Sequence, residues 1–503
     1  MSTQQALSIA STGISGLDDV LHGGLVTNRL YLVEGTPGTG KTTLALQFLL
    51  EGAAQGERGL YITLSETAEE LRAVAGSHGW SLDGVHVFEL ASGGDALDPD
   101  REQDLLHPWE IELGEVIKVI TEEIERLAPP RIAFDSLSEL RLLAQDPLRY
   151  RRQILGLKQF VAGRNSTVLL LDDRSTVASG GVDLQLHSIC HGVLTLERLP
   201  VDFGINRRRI EVAKMRARAY REGWHDFAIR TGGLAVFPRL VAAEHPEELP
   251  DAVASSGIAE LDALMAGGPI RGTSTLITGP AGCGKTTIAV QFALAAAERG
   301  EHTAIYEFDE RYSTLLMRTA KLGLDLRPRI AAGLISLRTI DPAELSPGEF
   351  AYLVQNDVEA HGAKFFILDS LSGYINAMPD EKQLLLQMHE LLSYLNRRGV
   401  VTFLINPLAG LVGPMQSEIA TSYIADAVLL LRFFEADGRI FKAISCLKNR
   451  GGAHEDAIRE LRIDHGGLQI GAPLTQFRGV LTGIPSYRGS DQPLLDQAGR
   501  GVA

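Results

Sequence analysis

The fold of this chain is decided by the segment Gly35-Thr36-Pro37-Gly38-Thr39-Gly40-Lys41-Thr42-Thr43. Residues 30–33 before it form a short apolar run with the length of a buried strand, and residues 43–54 have the periodicity of an amphipathic helix. A strand, a glycine-rich turn and a helix in this order are typical of a βαβ unit. The segment therefore predicts a domain built on a mostly parallel sheet.

The segment recurs 244 positions later (285 − 41) as Gly279-Pro280-Ala281-Gly282-Cys283-Gly284-Lys285-Thr286-Thr287. At the same spacing, Gly13-Ile14-Ser15-Gly16-Leu17-Asp18 recurs as Gly257-Ile258-Ala259-Glu260-Leu261-Asp262. At a spacing of 234 (369 − 135), Phe134-Asp135-Ser136 recurs as Leu368-Asp369-Ser370, and Lys214-Met215-Arg216 as Lys448-Asn449-Arg450. Two constant spacings separated by one net deletion indicate a tandem duplication of a whole domain, because solenoid repeats are much shorter.

The duplication predicts two domains of the α/β class, each with a mostly parallel sheet covered by helices. We expect the first domain at residues 1–246, the second at 247–482 and a mobile C-terminal tail at 483–503. The join is polar and bounded by Pro246 and Pro250. Strands are predicted at residues 30–33, 60–63, 132–134, 168–171, 276–278, 304–306, 365–368 and 401–404.

The composition narrows the class of protein. The 503 residues include 48 basic and 63 acidic ones, for a formal charge of −15, and 45% are hydrophobic, which excludes a collagenous or largely disordered protein. The acidic balance disfavours general nucleic-acid binding, because phosphate affinity comes mostly from Lys and Arg. Three cysteines without CxxC spacing predict neither a disulfide framework nor a zinc site. We expect no membrane span and a cytoplasmic location.

Both copies of the glycine-rich segment have the pattern GxxxxGK[ST] between a strand and a helix, which is the context of a phosphate-binding loop. Glycines let the backbone N–H groups surround the phosphates. Lys41 and Lys285 are expected to neutralise the β and γ phosphates, and Thr42 and Thr286 to ligate Mg²⁺. The sequence thus predicts ATP and Mg²⁺ as cofactors, bound by residues 35–43 and 279–287.

Carboxylates follow other predicted strands. Asp135 and Asp369 end apolar strands, where a Walker-B aspartate holds the Mg²⁺ shell. The strand after each phosphate-loop helix ends in Ser65-Glu66 or Asp309-Glu310, beside the phosphates at the carboxyl edge of the sheet. We therefore expect Glu66, Asp309 and Glu310 to be catalytic together with the two loop lysines. The alternatives are a strand-end or N-cap role for the aspartates and a solvated turn for the acid pairs.

Together these motifs resemble the KaiC-type family, the two-domain RecA-like ATPases and autokinases of bacterial clocks. The resemblance is carried by the GIxxLD element before each phosphate loop, the acid pair and the KxR element near each domain's end. It implies a homohexamer of two stacked rings with ATP between subunits, in which the KxR element reaches a neighbour's γ-phosphate. The nucleotide-contacting residues that it implies are Ser77, Lys214, Met215, Arg216, Lys448, Asn449, Arg450 and His454.

The resemblance also implies autophosphorylation in the second domain. The family's two acceptors lie four and three positions before an aspartate that opens an apolar strand, which here is Asp426. Counting back gives Ser422 and Tyr423, with Tyr423 in place of the usual Thr, and Asp309 as the general base. The alternative is a turn before a strand.

The chain also departs from the family pattern. Ser65 replaces the first glutamate of the first acid pair, which leaves Glu66 to orient water or slows hydrolysis there. A KaiB-like protein is a candidate partner of the first ring, whereas the divergent sequence after Tyr487 gives little support for docking of a KaiA-type activator. Two other function classes stay open: a RecA-like recombination or helicase motor, disfavoured by the acidic charge, and a nucleotide-gated scaffold.

Overall fold

The computed structural model describes residues 7–90, 108–144, 146–174, 182–200, 204–247, 252–376, 381–408, 423–436, 438–480 and 486–487. The chain forms two compact units, Met1–Arg239 and Leu240–Ala503. Each unit has its own sheet and its own core. Among the described residues, no helix combines the length and apolarity needed to cross a membrane.

The described part of the first unit has the following elements. The strands are β1 Ile9–Ala10, β2 Leu25–Val26, β3 Leu30–Gly35, β4 Gly59–Thr63, β5 Val85–Glu89, β6 Arg131–Asp135, β7 Thr167–Asp173, β8 Gly192–Leu199, β9 Arg207–Met215, β10 Trp224–Arg230 and β11 Gly233–Phe237. The helices are α1 Ser15–Val20, α2 Lys41–Ala54, α3 Ala68–Ser77, α4 Pro108–Leu127, α5 Leu137–Ala144, α6 Pro147–Ala162 and α7 Val182–Ile189.

The second unit repeats this series. Its described strands are β12 Ser274–Gly279, β13 His302–Glu307, β14 Ile335–Thr339, β15 Ala363–Asp369, β16 Val401–Pro407, β17 Ala427–Ala436, β18 Arg439–Asn449, β19 Arg459–Asp464, β20 Gly467–Pro473, β21 Phe477–Arg478 and β22 Ser486–Tyr487. A 3₁₀ turn at Ala242–Glu244 precedes the helices α8 Ala259–Ala263, α9 Lys285–Glu298, α10 Tyr312–Lys321, α11 Arg327–Ala331, α12 Pro347–Glu359, α13 Leu371–Asn376 and α14 Glu381–Arg397.

The two large sheets have the same strand order. The first is β11-β10-β9-β8-β3-β7-β6-β4-β5, and the second is β20-β19-β18-β17-β12-β16-β15-β13-β14. In each sheet, six neighbouring strands are parallel, and they include the strand before the phosphate loop. The remaining three strands, β9–β11 or β18–β20, pair antiparallel. The predicted α/β fold with mostly parallel sheets is confirmed. The sequence analysis does not predict the outer antiparallel strands β10, β11, β19 and β20.

Both faces of each sheet are covered, because successive side chains of a strand point to opposite faces. In β3, Tyr31 and Val33 belong to one buried apolar cluster, whereas Leu30 and Leu32 belong to another. The four consecutive apolar residues at 30–33 are what a central parallel strand between two helical layers requires. The phosphate loops are therefore fixed at one edge of a rigid core.

The boundary between the units differs from the predicted domain boundary by a few residues. Leu240 and Ala242, which the sequence assigns to the end of the first domain, lie in the core of the second unit beside Leu276. The Ala242 N–H donates a hydrogen bond to Glu390 Oε2 at 3.2 Å. The proline-bounded stretch marks a connection, but it does not specify which core the preceding residues join.

Arg131 is a charged residue inside the first unit, with 1% of its surface exposed. Its guanidinium donates to Glu57 Oε2 at 2.5 Å and to the carbonyls of Ser11 and Phe48 at 2.7 and 2.9 Å. The position corresponds to the buried Phe365 in the second unit. Arg131 thus joins β6, α2 and the N-terminal segment through one side chain.

We expect Arg131→Ala to destabilise the first unit by about 3–5 kcal/mol, because it removes the hydrogen bonds to two carbonyls, leaves a cavity and deprives Glu57 of its cation. All three tryptophans, Trp80, Trp109 and Trp224, belong to this unit, so urea unfolding followed by tryptophan fluorescence reports on it alone. Arg126→Ala, which removes an ion pair of an exposed arginine, is the control and should leave the urea midpoint almost unchanged. Equal losses of stability in the Arg131 and Arg126 variants would contradict the role of Arg131 in joining β6, α2 and the N-terminal segment.

Candidate nucleotide-binding sites

Each phosphate loop depends on a glycine in the left-handed region. Gly40 has φ of 107° and Gly284 has φ of 111°, and each is the residue from which the next helix begins. A Cβ atom would lie 2.7 Å from Ile229 Cδ1 at the first position and 2.2 Å from Ile463 Cδ1 at the second. Only glycine combines this φ with such close contact. The free N–H groups of α2 and α9 therefore face the loop, as an anion site requires.

The loop lysines are buried and bonded to the backbone. Lys41 Nζ donates to the carbonyls of Gly35 and Thr36 at 3.0 and 3.3 Å, and Lys285 Nζ to those of Gly279 and Pro280 at 3.0 and 2.8 Å. Burial lowers the pKa of Lys285. Both ammonium groups are thus held against the first two residues of the phosphate loop.

The two lysines differ in one partner. Asp173 Oδ1 lies 2.6 Å from Lys41 Nζ, and Asp173 pairs with Gly35 in the sheet. The corresponding position beside Gly279 is Pro407, which has no charge. The sequence analysis missed Asp173, although its place at the end of a predicted strand could have indicated it.

The predicted metal ligands lie together in both domains. Thr42 Oγ1 donates to Asp135 Oδ2 at 3.2 Å, and Thr286 Oγ1 donates to Asp369 Oδ2 at 2.6 Å. Tyr61 adds a second hydroxyl to Asp135 at 2.5 Å. Burial is the main reason that the pKa values of both aspartates are raised.

This donor set fits Mg²⁺ bound together with a nucleotide. Among the described residues, no group of three or more His, Cys, Asp or Glu side chains could hold a metal ion. Mg²⁺ typically takes one or two protein ligands and completes its octahedron with phosphate oxygens and water. A threonine and an aspartate beside a phosphate loop supply that number.

Glu66 is the only carboxylate of the first acid pair, and it has one buried, unpaired oxygen, Oε2. Its backbone is fixed by Thr63, whose hydroxyl accepts from the Glu66 N–H at 2.9 Å and donates to the Glu66 carbonyl at 2.8 Å. Burial, and then the charges of Asp135 and Glu70, raise the pKa of Glu66. A half-buried carboxylate of this kind can accept a proton.

The second acid pair has more partners. The Ser370 hydroxyl donates to Asp309 Oδ2. Arg318 donates to both oxygens of Glu310, from Nε at 3.2 Å and from Nη2 at 2.7 Å. Glu310 is thus ion-paired, whereas Asp309 is exposed and hydrogen-bonded only to a hydroxyl among its described partners. The sequence analysis missed Arg318, because nothing in the local pattern of α10 points it at Glu310.

The KxR elements lie near the amino ends of the parallel strands, on the side of the sheet opposite the phosphate loops. Met215 pairs with Gly192, which pairs with Tyr31 at the start of β3, whereas the phosphate loop follows its end at Gly35. The same holds in the second unit, where Asn449 pairs with Ala427 at the start of β17. Lys214 Nζ donates to the carbonyls of His187 and Cys190, and Lys448 Nζ to that of Ala425 at 2.7 Å. Arg216 and Arg450 are exposed.

The remaining predicted residues also lie away from the loops of their own domain. Ser77 ends α3, roughly 14 Å along the helix from its start near Glu66, and its hydroxyl donates to the Val74 carbonyl at 2.7 Å. His454 is exposed in the segment after β18, and Tyr423 is 53% exposed just before β17. Ser422 lies outside the described residues.

Comparisons with known proteins agree with this architecture. The family model described as "ATPase: KaiC" matches residues 10–241 and again residues 254–475. The circadian clock protein KaiC3 of Synechocystis sp. is 27% identical over 488 residues, which cover 95% of this chain and 94% of that protein. The circadian clock oscillator protein KaiC of Picosynechococcus sp. is 28% identical over 507 residues, covering 98% and 95%.

We expect Glu66→Gln to stabilise the first domain at pH 8 and to have little effect at pH 4. Because the pKa of Glu66 is raised in the folded state, its ionised form opposes folding as pH rises through that pKa, and the penalty vanishes where both states are protonated. Urea midpoints from tryptophan fluorescence at the two pH values measure this difference.

Glu70→Gln is the matched control with the opposite sign. The Thr67 N–H and hydroxyl donate to Glu70 and lower its pKa, so its ionised form stabilises the fold above the unfolded pKa and loses that effect as pH falls. The variant should lower the midpoint at pH 8, and by less at pH 4. Shifts of the same sign for both variants would be incompatible with these two environments.

Proposed function

The chain belongs to the KaiC family of ATPases, and from that premise we propose that it is an ATP-driven hexameric switch whose second domain phosphorylates itself. ATP would bind at residues 35–43 and 279–287, and Mg²⁺ at Thr42 with Asp135 and at Thr286 with Asp369. The bound nucleotide supplies the transferable phosphoryl group, and the cation neutralises its charge. The other steps depend on side chains of this chain.

One observation carries the proposal: each KxR element lies at the sheet edge opposite its own phosphate loop. Tyr31, beside the KxR edge, and Gly35, at the loop, are four residues apart along β3, or about 13 Å. Neither Arg216 nor Arg450 can therefore reach the phosphates of its own domain without crossing the sheet. A neighbouring subunit would bring the arginine and the phosphate together, so turnover would require assembly.

In the first domain, Glu66 would take a proton from the attacking water. Its unpaired Oε2 atom is free to accept a hydrogen bond, and burial raises its pKa, which makes the carboxylate a better proton acceptor. Lys41 would hold the phosphates, and Arg216 of a neighbour would stabilise the charge that develops in the transition state. Ser65 has no carboxylate, so the hydrolysis would depend on Glu66 alone.

In the second domain, Asp309 would be the general base. Arg318 neutralises Glu310, whereas Asp309 keeps a carboxylate that faces the hydroxyl of Ser370. The hydroxyl of Ser422 or Tyr423 would lose its proton to Asp309 as its oxygen bonds to the γ-phosphorus, and the bond from that phosphorus to the bridging oxygen would break and release ADP. Tyr423 precedes Asp426, which accepts from the Ser274 N–H at the start of β12, so Tyr423 also lies on the side of the sheet opposite the phosphate loop of its own domain. The phosphoryl group would come from the neighbouring subunit's nucleotide.

We predict that hydrolysis in the first domain depends on Glu66. With the second site disabled by Lys285→Met, the additional change Glu66→Gln should lower steady-state ATP hydrolysis by about 100-fold, the usual contribution of a general base. Ser65→Ala in the same background should stay within about threefold. Full activity of the Glu66 variant would assign the water-activating role to another residue.

We predict that phosphorylation occurs between subunits. Lys285→Met chains, which keep the acceptors, are mixed with chains carrying Ser422→Ala and Tyr423→Phe, which keep the nucleotide site. Phosphate should appear on the Lys285→Met chain in the mixture and not when that chain is incubated alone. Intact-mass and phosphopeptide analysis distinguishes the two chains.

Asp309→Asn in the chains that keep the nucleotide site should abolish that signal. Native mass spectrometry of the same mixture reports whether mixed hexamers have formed. Mixed hexamers without phosphate on the Lys285→Met chain would contradict transfer between subunits, and an unmodified wild-type chain that hydrolyses ATP would remove the kinase function.

A further inference from the structure

Thr63 and Glu307 occupy the same place in the two domains. Thr63 pairs with Asp135 at the end of β4, and Glu307 pairs with Asp369 at the end of β13. The next N–H, from Leu64 or Phe308, donates to the carbonyl of the aspartate in each case, at 2.8 and 2.6 Å. The backbone is thus equivalent, and only the side chain differs.

Both side chains hold the turn that carries the acid pair. The Thr63 hydroxyl accepts from one N–H, that of Glu66. Glu307 Oε1 accepts from two, those of Asp309 at 3.1 Å and of Glu310 at 2.8 Å. The longer side chain of Glu307 therefore fixes the backbone of both acidic residues.

Glu307 is an unusual residue for this place. Its surface is 1% exposed, and its Oε2 atom has no hydrogen-bond partner within the described ranges. Burial, and then the charge of Asp369, raise its pKa. A buried carboxylate beside another carboxylate destabilises a fold unless its contacts are needed. The two N–H groups that donate to Glu307 are those of Asp309, the predicted base, and of its neighbour Glu310.

Other contacts constrain the same turn from other sides. Ser370 donates to the Asp309 carboxylate, and Arg318 fixes the Glu310 carboxylate. A Cβ atom at Gly373 would lie 2.8 Å from Asp309 Oδ1, so a larger residue there would displace that carboxylate. In the first domain, Thr63 is the only one of these restraints that the described residues repeat at Glu66.

We propose that Glu307 is a positioning residue that fixes the Asp309 carboxylate for proton transfer from a protein hydroxyl. The proposal rests on the kinase function of the second domain. A water molecule can move to meet its base, as Glu66 would allow, whereas a hydroxyl on a neighbouring subunit arrives in one place. The base must therefore be fixed within a fraction of an ångström.

Two variants of Glu307 separate this role from simple destabilisation. Glu307→Gln keeps the Oε1 acceptor and removes the charge, whereas Glu307→Ala removes the acceptor. In hydrogen-exchange mass spectrometry without nucleotide, the amides of Asp309 and Glu310 should exchange at least about tenfold faster in the Ala variant and within about threefold of wild type in the Gln variant. Circular dichroism melting checks that both variants fold.

The kinetic readout follows with Mg²⁺ and ATP. Glu307→Ala should lower the rate of phosphorylation at saturating ATP by about 10–100-fold with nucleotide affinity within about threefold, and Glu307→Gln should keep most of the rate. Equal loss in both variants together with weaker Mg²⁺-dependent nucleotide binding would overturn the proposal in favour of a charge-based role. A normal rate and normal exchange in the Ala variant would also overturn it.

Wild-type protein in the same assay separates this proposal from the function on which it rests. If the wild-type chain takes up no phosphate, the kinase function fails, and the proposal for hydroxyl transfer fails with it, whatever the exchange data show. If the wild-type chain is phosphorylated and Glu307→Ala is unaffected, only the role of Glu307 fails. Arg126→Ala, at an exposed arginine of the first unit, is the control and should leave phosphorylation of the second domain unchanged.

Discussion

The direction of the parallel strands is the constraint on which the rest of this structure depends. Six parallel strands in each domain end on the same side of the sheet, so the phosphate loop, the aspartate predicted to bind Mg²⁺ and the acid pair meet there. The same direction places the start of β8 and β17, with the adjoining KxR elements, at the other edge. In the proposed assembly, each domain would therefore carry one half of a site at each end of its parallel strands, and a neighbouring subunit would complete it.

The two sites use one backbone with different charges. In the first domain, Asp135 accepts hydrogen bonds from Thr42 and Tyr61. The acid-pair turn of this domain has one carboxylate, that of Glu66. In the second domain the position of Tyr61 is taken by Ile305, so Asp369 keeps only the threonine among these donors. The three carboxylates of Glu307, Asp309 and Glu310 lie near it, with Arg318 as a counterion. The second site is the more acidic and the more restrained of the two.

Much of the fold follows from the sequence, because its determinants are local. The apolar runs, the glycine-rich loops and the constant spacings between repeats predict the parallel strands, the helices after the loops and the duplication. The contacts that distinguish the two sites are different in kind. Arg318, near the C-terminal end of α10, reaches back to Glu310 before the helix, and Asp173 reaches Lys41 from another strand. Neither contact is indicated by a sequence motif. The pairing of β7 with β3 brings Asp173 beside Lys41, whereas the packing of α10 brings Arg318 back to Glu310.

The lysine and the arginine of each KxR element have different surroundings. The Lys214 ammonium is bonded to the carbonyls at the end of α7, where a cation is favoured, and burial lowers its pKa. Arg216, two residues on, is exposed. Lys448 is bonded to the Ala425 carbonyl, two residues after Tyr423, while Arg450 is exposed. The lysine thus fixes the loop to its own domain, and the arginine extends from it. In the second domain the same lysine links the exposed arginine to the segment that carries the proposed acceptor, so both would approach a neighbour's phosphate as one unit.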